Sequence, residues 1–98
     1  MVYILKFGKK FDREFLKIDK SISEQIVKKL KRLKENPESI GKPLLHTHPA
    51  LWEFKAEVFR VFYMIQESAK EIWILSVKHK DECDDYIRKG YFNDINEF

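Results

Sequence analysis

Val58-Phe59-Arg60-Val61-Phe62-Tyr63-Met64-Ile65 decides the fold of this 98-residue chain. Aromatic and β-branched residues dominate it, and these suit a pleated, half-buried strand. Its single cation is Arg60. An unpaired guanidinium is costly to bury, so Arg60 needs either a partner or a task. Two similar stretches flank this one. Upstream, Trp52, Phe54 and Ala56 alternate with Glu53, Lys55 and Glu57, the period of a strand with one face on a core. Downstream, Trp73, Leu75 and Val77 alternate with Ile72, Ile74, Ser76, Lys78 and Lys80. Glu57 falls in a tight turn between the first two strands, and residues 66–70 form a hairpin-like connection between the last two. Three adjacent strands are predicted.

Side-chain parity then divides the sheet. Trp52, Phe54, Phe59, Val61, Tyr63, Ile65, Trp73, Leu75 and Val77 are expected on the core face. Lys55, Arg60, Phe62, Met64, Ile74, Lys78 and Lys80 are expected on the other. A mixed cationic and apolar open face is a candidate binding surface.

Working outward, Val2 to Phe7 reads as a strand that Gly8 ends. Phe11, Phe15 and Ile18 follow at helical spacing. Ser21-Ile22-Ser23-Glu24 fits a capping box, and Ile22, Ile26, Leu30 and Leu33 continue as an apolar stripe. Lys28, Lys29, Lys31, Arg32 and Lys34 face mostly away from that stripe, and Pro37 stops the helix. Two helices so closely joined form an antiparallel hairpin. Residues 37–50 are predicted as a loop. After the last strand, Asp81-Glu82-Cys83-Asp84-Asp85 leads into Tyr86-Ile87-Arg88-Lys89-Gly90. Acids first, cations last and a terminal glycine describe a short helix; residues 91–98 read as a tail or a last turn.

Composition fits one domain, residues 1–98, of α+β class: a small antiparallel sheet with an N-terminal helical hairpin on one face (β-α-α-β-β-β) and a short C-terminal helix. Hydrophobic residues make up 44% of the chain, including eight Phe, enough for one core. Net charge is +3, unevenly distributed. Residues 1–50 carry 12 Lys and Arg against 6 Asp and Glu; residues 51–98 carry 7 against 10. This bias permits a polyanionic partner without requiring one. The lone Cys83 excludes an internal disulfide and fits a reducing, cytoplasmic setting. No run is long enough for a membrane span. His46 and His48 lack the further ligands a metal site needs, so no metal or cofactor is expected.

Three segments now carry a resemblance. Trp52-Glu53-Phe54-Lys55, Phe59-Arg60-Val61-Phe62-Tyr63, and Ser76-Val77-Lys78-His79-Lys80 continuing to Tyr86 resemble, in order and spacing, the RelE/ParE superfamily of type II toxin–antitoxin toxins, RelE most of all. That resemblance implies a ribosome-dependent endoribonuclease that cuts mRNA in the A site by 2′-hydroxyl attack and is inhibited by a RelB-like antitoxin. Arg60 would stand at the catalytic arginine, Lys55 at a site lysine, Lys80 at a second arginine and Tyr86 at the C-terminal tyrosine. Two positions depart from the pattern. Lys80 lacks the planar fork of arginine, and Glu53 stands where RelE can carry another lysine. The implied partners are the antitoxin, the ribosome and mRNA, with operator DNA reached only through the toxin–antitoxin complex, and no membrane.

The residues themselves can support such chemistry. Attack by the 2′-hydroxyl needs a base, cations for the phosphorane and an acid for the leaving oxygen. Arg60 suits the phosphorane, supplemented by Lys80. Lys55 or Glu53 could take the proton, Tyr86 could stack on a base, and Lys78 joins the RNA-binding set with Glu53. Each also has a plain structural use: Arg60 could pair with Glu53 or Glu71 across the sheet, and Tyr86 could pack beside Cys83 and Ile87. Phe62, Met64 and Ile74 on the same face would suit an antitoxin segment. A ParE-like inhibitor of DNA gyrase without nuclease activity is the alternative reading. A third is a nucleic-acid-binding module using Lys28, Lys29 and Lys31.

Overall fold

The computed structural model describes residues 2–98. The chain begins with β1 (Ile4–Phe7), which Gly8 closes before helix α1 (Lys9–Phe15). Helix α2 (Lys20–Leu33) starts one residue after Asp19. Asp19, not Ser21, is its cap: the carboxylate accepts from the Ser21 backbone N–H at 3.3 Å and from the Ser21 hydroxyl at 2.6 Å. The expected Ser21–Glu24 box gives way because an ionised acceptor two residues earlier makes the stronger bond. Pro37 opens a single turn, α3 (Pro37–Ile40), where its missing N–H costs nothing. A two-residue strand, β2 (Lys42–Pro43), precedes β3 (Trp52–Ala56), β4 (Phe59–Gln66) and β5 (Glu71–His79). The β3–β4 link is a tight turn with Glu57 at φ 55°.

The sheet order is β1-β5-β4-β3-β2. Strands β3 to β5 are antiparallel as expected. Strand β2, inside the stretch expected to be a loop, adds an antiparallel edge, and β1 lies parallel to β5 at the other, which makes the sheet mixed. Helices α1 and α2 cover one face. There Phe11, Ile26, Leu30 and Leu33 pack against Phe54, Val61, Tyr63, Ile72, Ile74 and Val77.

The last strand departs from simple alternation. Phe62 lies opposite Ser76, but Tyr63 lies opposite Ile74, so Leu75 is an extra residue in the ladder. A bulge of this kind reverses the facing of every residue beyond it. Ile72 and Ile74 therefore turn toward the helices with Val77, while Trp73 and Leu75 turn away. The expected grouping of Trp73, Leu75 and Val77 holds only for Val77.

The far face of the sheet is not open. Residues 80–95 run over it as consecutive 3₁₀, α, π and α turns. They bury a second apolar cluster of Leu51, Phe62, Met64, Leu75, Cys83, Tyr86 and Tyr91. Phe62 and Met64 are 0% and 3% exposed beneath this segment, and Ile74 is 0% exposed on the helix side. An exposed apolar surface at Phe62, Met64 and Ile74 is thus absent: a segment expected to be short closes over the first two, and the bulge turns the third away. Trp73 stacks on Phe98 at 4.7 Å, so the chain end also packs onto the sheet. No described helix is long and apolar enough to cross a membrane.

Candidate functional site

Strand register puts three cations in one row. Lys55 lies directly opposite Arg60, and Arg60 directly opposite Lys78. Directly opposed residues have Cβ atoms only about 5 Å apart, and like charges so placed destabilise a sheet. The row crosses β3, β4 and β5 on the face that also carries Phe62. It lies beyond the ring of Tyr86, whose centroid is 4.8 Å from that of Phe62.

One member of the row is neutralised. Glu14 reaches from α1 to Lys78 Nζ at 2.6 Å. Its other oxygen accepts from the Ser76 hydroxyl at 2.6 Å and the Val77 N–H at 3.2 Å. Arg60 is half-buried, and its Nη1 donates to the carbonyls of Glu57 and Phe59 at 3.1 and 3.0 Å. Among the described residues no carboxylate forms an ion pair with it. Glu53 pairs instead with Lys42 at 3.8 Å, and Glu71 with Lys6 at 2.9 Å. Cross-strand pairing of Arg60 with either acid is therefore not what occupies it. Lys55 is exposed, and among the described residues it too makes no ion pair. Its backbone carbonyl accepts from Lys29 Nζ.

The remaining predicted residues are placed less simply. Lys80 is exposed and begins the 3₁₀ turn after β5, with its N–H bonded to the Val58 carbonyl at 2.7 Å. It stands two residues beyond Lys78, outside the ladder. Glu53 is buried at 8% exposure, opposite Phe62. Tyr86 is 3% exposed, and its hydroxyl donates to Asp94 at 2.6 Å. Burial first, then the Asp94 hydrogen bond, pushes that hydroxyl far above the ordinary tyrosine range. In this arrangement Tyr86 is a packing residue, and its hydroxyl faces protein, not solvent. The ammonium groups of Lys10 and Lys78 sit 5.4 and 5.5 Å from its ring centroid, within cation–π reach.

Burial also pushes the Cys83 thiol up to about 11, helped by Glu53 and opposed by Arg60. No group of three or more His, Cys, Asp or Glu among the described residues is gathered as a metal site requires. Glu14, Lys10 and Asp94 went unnoticed as site residues in the sequence. The only trace of the first two is their i, i+4 spacing on α1, which says nothing about a strand that lies more than sixty residues away.

Two clefts open at the ends of the row. One, of about 290 Å³, is lined by Lys29, Gly41, Lys42, Glu53 and Lys55. The other, of about 470 Å³, is lined by Lys10, Lys78, Asp81, Glu82, Tyr86 and Lys89, among others. A cationic strip across a small mixed sheet, helices on one side and a helical C-terminal segment on the other, defines a small α+β protein of the RelE-like toxin fold. The family model for the ParE toxin of the type II toxin–antitoxin system, parDE, matches residues 5–90. The chain belongs to that family, within the RelE/ParE superfamily of type II toxins.

Solved structures agree on the fold. A mutant of the Escherichia coli toxin RelE in the free state is similar with a TM-score of 0.77 at 22% identity, covering 97% of this chain and 99% of that one. The toxin–antitoxin complex RelBE2 of Mycobacterium tuberculosis gives 0.72 at 24% identity, covering 81% and 99%. The archaeal RelE–RelB complex of Pyrococcus horikoshii gives 0.70 at 22%, covering 82% and 97%. Among curated proteins no sequence matches the chain.

Proposed function

We propose that this chain is a RelE-like toxin: a ribosome-dependent, metal-independent endoribonuclease that cuts mRNA in the A site and is held inactive by a RelB-like antitoxin. The observation that supports this reading is the row Lys55–Arg60–Lys78, three cations in register with a single ion-paired carboxylate between them. A sheet tolerates such a row most readily when an anion completes it. The scissile phosphate is that anion. The 2′-oxygen loses its proton to a base, with Lys55 or Glu53 as candidates, and attacks phosphorus. The bond to the 5′-oxygen breaks, and that oxygen takes a proton. A 2′,3′-cyclic phosphate and a 5′-hydroxyl result. Arg60 would turn its guanidinium from the turn carbonyls to the non-bridging oxygens, where two parallel N–H groups suit a phosphorane. Lys78 and Lys80 would add positive potential. Tyr86 reaches RNA only if the C-terminal segment lifts from Phe62; while seated, it helps hold Lys78 in place.

The antitoxin would work at the same face. Phe62 and Met64 lie under residues 83–95, so an apolar antitoxin segment would meet them only by taking that segment's place. Ile74 faces the opposite layer and drops out of this surface. Operator DNA would be met through the toxin–antitoxin complex, and the setting would be the cytoplasm.

The test is primer extension on programmed ribosomes with purified protein. Cuts within the A-site codon are expected, falling about 100- to 1,000-fold in rate for Arg60→Ala, the usual cost of losing one oxyanion donor. A ParE-like gyrase inhibitor is the second reading, favoured by the family model that matches and by a Tyr86 hydroxyl turned away from solvent. Intact ribosomal mRNA together with stalled gyrase supercoiling would decide for it.

A further inference from the structure

The row of cations has two ends, and they differ in charge. At the β3 end, Lys29, Lys42 and Lys55 line the cleft against one acid, Glu53. At the β5 end, Lys10, Lys78 and Lys89 face Asp81, Glu82 and Asp85, and Lys78 is already paired with Glu14. Counting formal charges, the first cleft carries +2 and the second none. A polyanion crossing Arg60 is therefore drawn toward β3 and gains nothing at β5.

The β3 cleft is also built from elements that hold its lysines apart. Lys29 comes from α2 and is tied to the sheet by donating to the backbone carbonyl of Lys55. Lys42 comes from the edge strand β2, directly opposite Glu53, with its side chain largely in solvent. Lys55 belongs both to this cleft and to the row, so the two are continuous. Successive residues across a sheet are about 4.8 Å apart, a step over which neighbouring phosphates of one strand can each meet a cation.

We propose that Lys29, Lys42 and Lys55 form a phosphate subsite for the substrate strand, taking a backbone phosphate next to the one gripped by Arg60, so that the RNA leaves the row over β3. This rests on the endoribonuclease reading for its substrate, but the subsite is a property of the cleft and can be tested without cleavage. Its contacts are to phosphate, so it tightens binding without reading sequence.

The probe is a single-stranded 2′-O-methyl oligouridylate, which lacks the attacking hydroxyl and cannot be cut. Binding to the intact protein is measured over a salt series for the parent, for K29Q/K42Q and for the charge-matched control K17Q/K20Q, two exposed lysines outside the row and both clefts; thermal melts confirm folding. Each phosphate neutralised on a single strand contributes about −0.7 to the slope of log K against log salt. K29Q/K42Q is expected to flatten that slope by about 0.7, the share of the one phosphate the subsite holds, with the control matching the parent. On programmed ribosomes K29Q/K42Q is expected to raise KM several-fold and leave kcat in place. An unchanged slope in K29Q/K42Q overturns the subsite, as does equal flattening by the control or no binding by the parent. Failure of the parent to cut ribosome-bound mRNA, with the slope flattened as expected, removes the nuclease reading and leaves the subsite standing. Cutting by the parent with an unchanged slope does the reverse.

Discussion

At the scale of single residues, three positions carry more than their types suggest. Gly41 is the tightest: a Cβ there would lie 2.1 Å from the Tyr63 hydroxyl and 2.6 Å from the Glu53 carbonyl. The hydroxyl is itself fixed, donating to the Pro37 carbonyl at 2.6 Å, and the Glu53 carbonyl is backbone that cannot step aside. Gly41→Ala should therefore destabilise the protein by about 1–3 kcal/mol, as overpacking does, read as a lower denaturant midpoint. Phe62 is the second. It is fully buried against Tyr86, so Phe62→Ala should cost about 3–5 kcal/mol in chemical denaturation. A residue on an open face would cost little, so this measurement separates the two placements directly. Arg60 is the third. It meets backbone carbonyls and no carboxylate, so Arg60→Ala is expected to leave stability nearly intact while removing activity.

Among the elements, the C-terminal segment is the one whose behaviour is chemically tunable. Its Tyr86 and Asp94 bond to each other, and Lys10 of α1 lies 3.9 Å from the carboxylate. Tyr86→Phe leaves a buried carboxylate short of a donor and should cost about 1–3 kcal/mol, seen as faster amide exchange in residues 83–95. Burial, more than any other influence, raises the Asp94 pKa above its ordinary 3.8, against the pull of the Tyr86 hydrogen bond and Lys10. An acid whose folded pKa is raised binds its proton more tightly when folded. Its contribution is then present below the unfolded pKa and is lost as pH rises through the folded one. Asp94→Asn, which keeps an acceptor for Tyr86, should gain on the parent as pH rises from about 4 toward neutrality. A stability difference that is flat with pH would contradict this. The π-helical turn at Tyr86–Gly90 needs its glycine as well, since a Cβ on Gly90 would come within 2.8 Å of the Tyr86 ring.

The whole molecule is a sheet with apolar clusters on both faces, one under the helical hairpin and one under residues 80–95. Ending the chain after Glu82 would uncover Leu51, Phe62, Met64 and Leu75. Such a variant should bind a hydrophobic dye and melt at lower temperature while keeping the far-ultraviolet signal of α1 and α2; a parent-like melt would contradict the two-core description. Much of this architecture could be read from local pattern. The helices over 9–15 and 20–33 follow from apolar spacing, the three antiparallel strands from period-two alternation, and the tight turn at Glu57 from its place between two strands. The Lys55–Arg60 pair also follows, because the tight turn at Glu57 fixes that register. The register of the β4–β5 turn alone would set Arg60 against Val77, and only the bulge brings Lys78 opposite it. Local pattern could not show Leu75 as a bulge, because an extra residue in one strand is defined only by the partner it fails to meet. Nor could it show that Tyr86 and Tyr91 lie over Phe62, that β1 pairs in parallel with β5, or that Glu14 neutralises Lys78. Sequence alone determined which residues could be helix, strand and cation, since these depend on neighbours within a few positions. Tertiary structure decided which face was buried and which charges remained unpaired, since both depend on contacts between residues far apart in the chain.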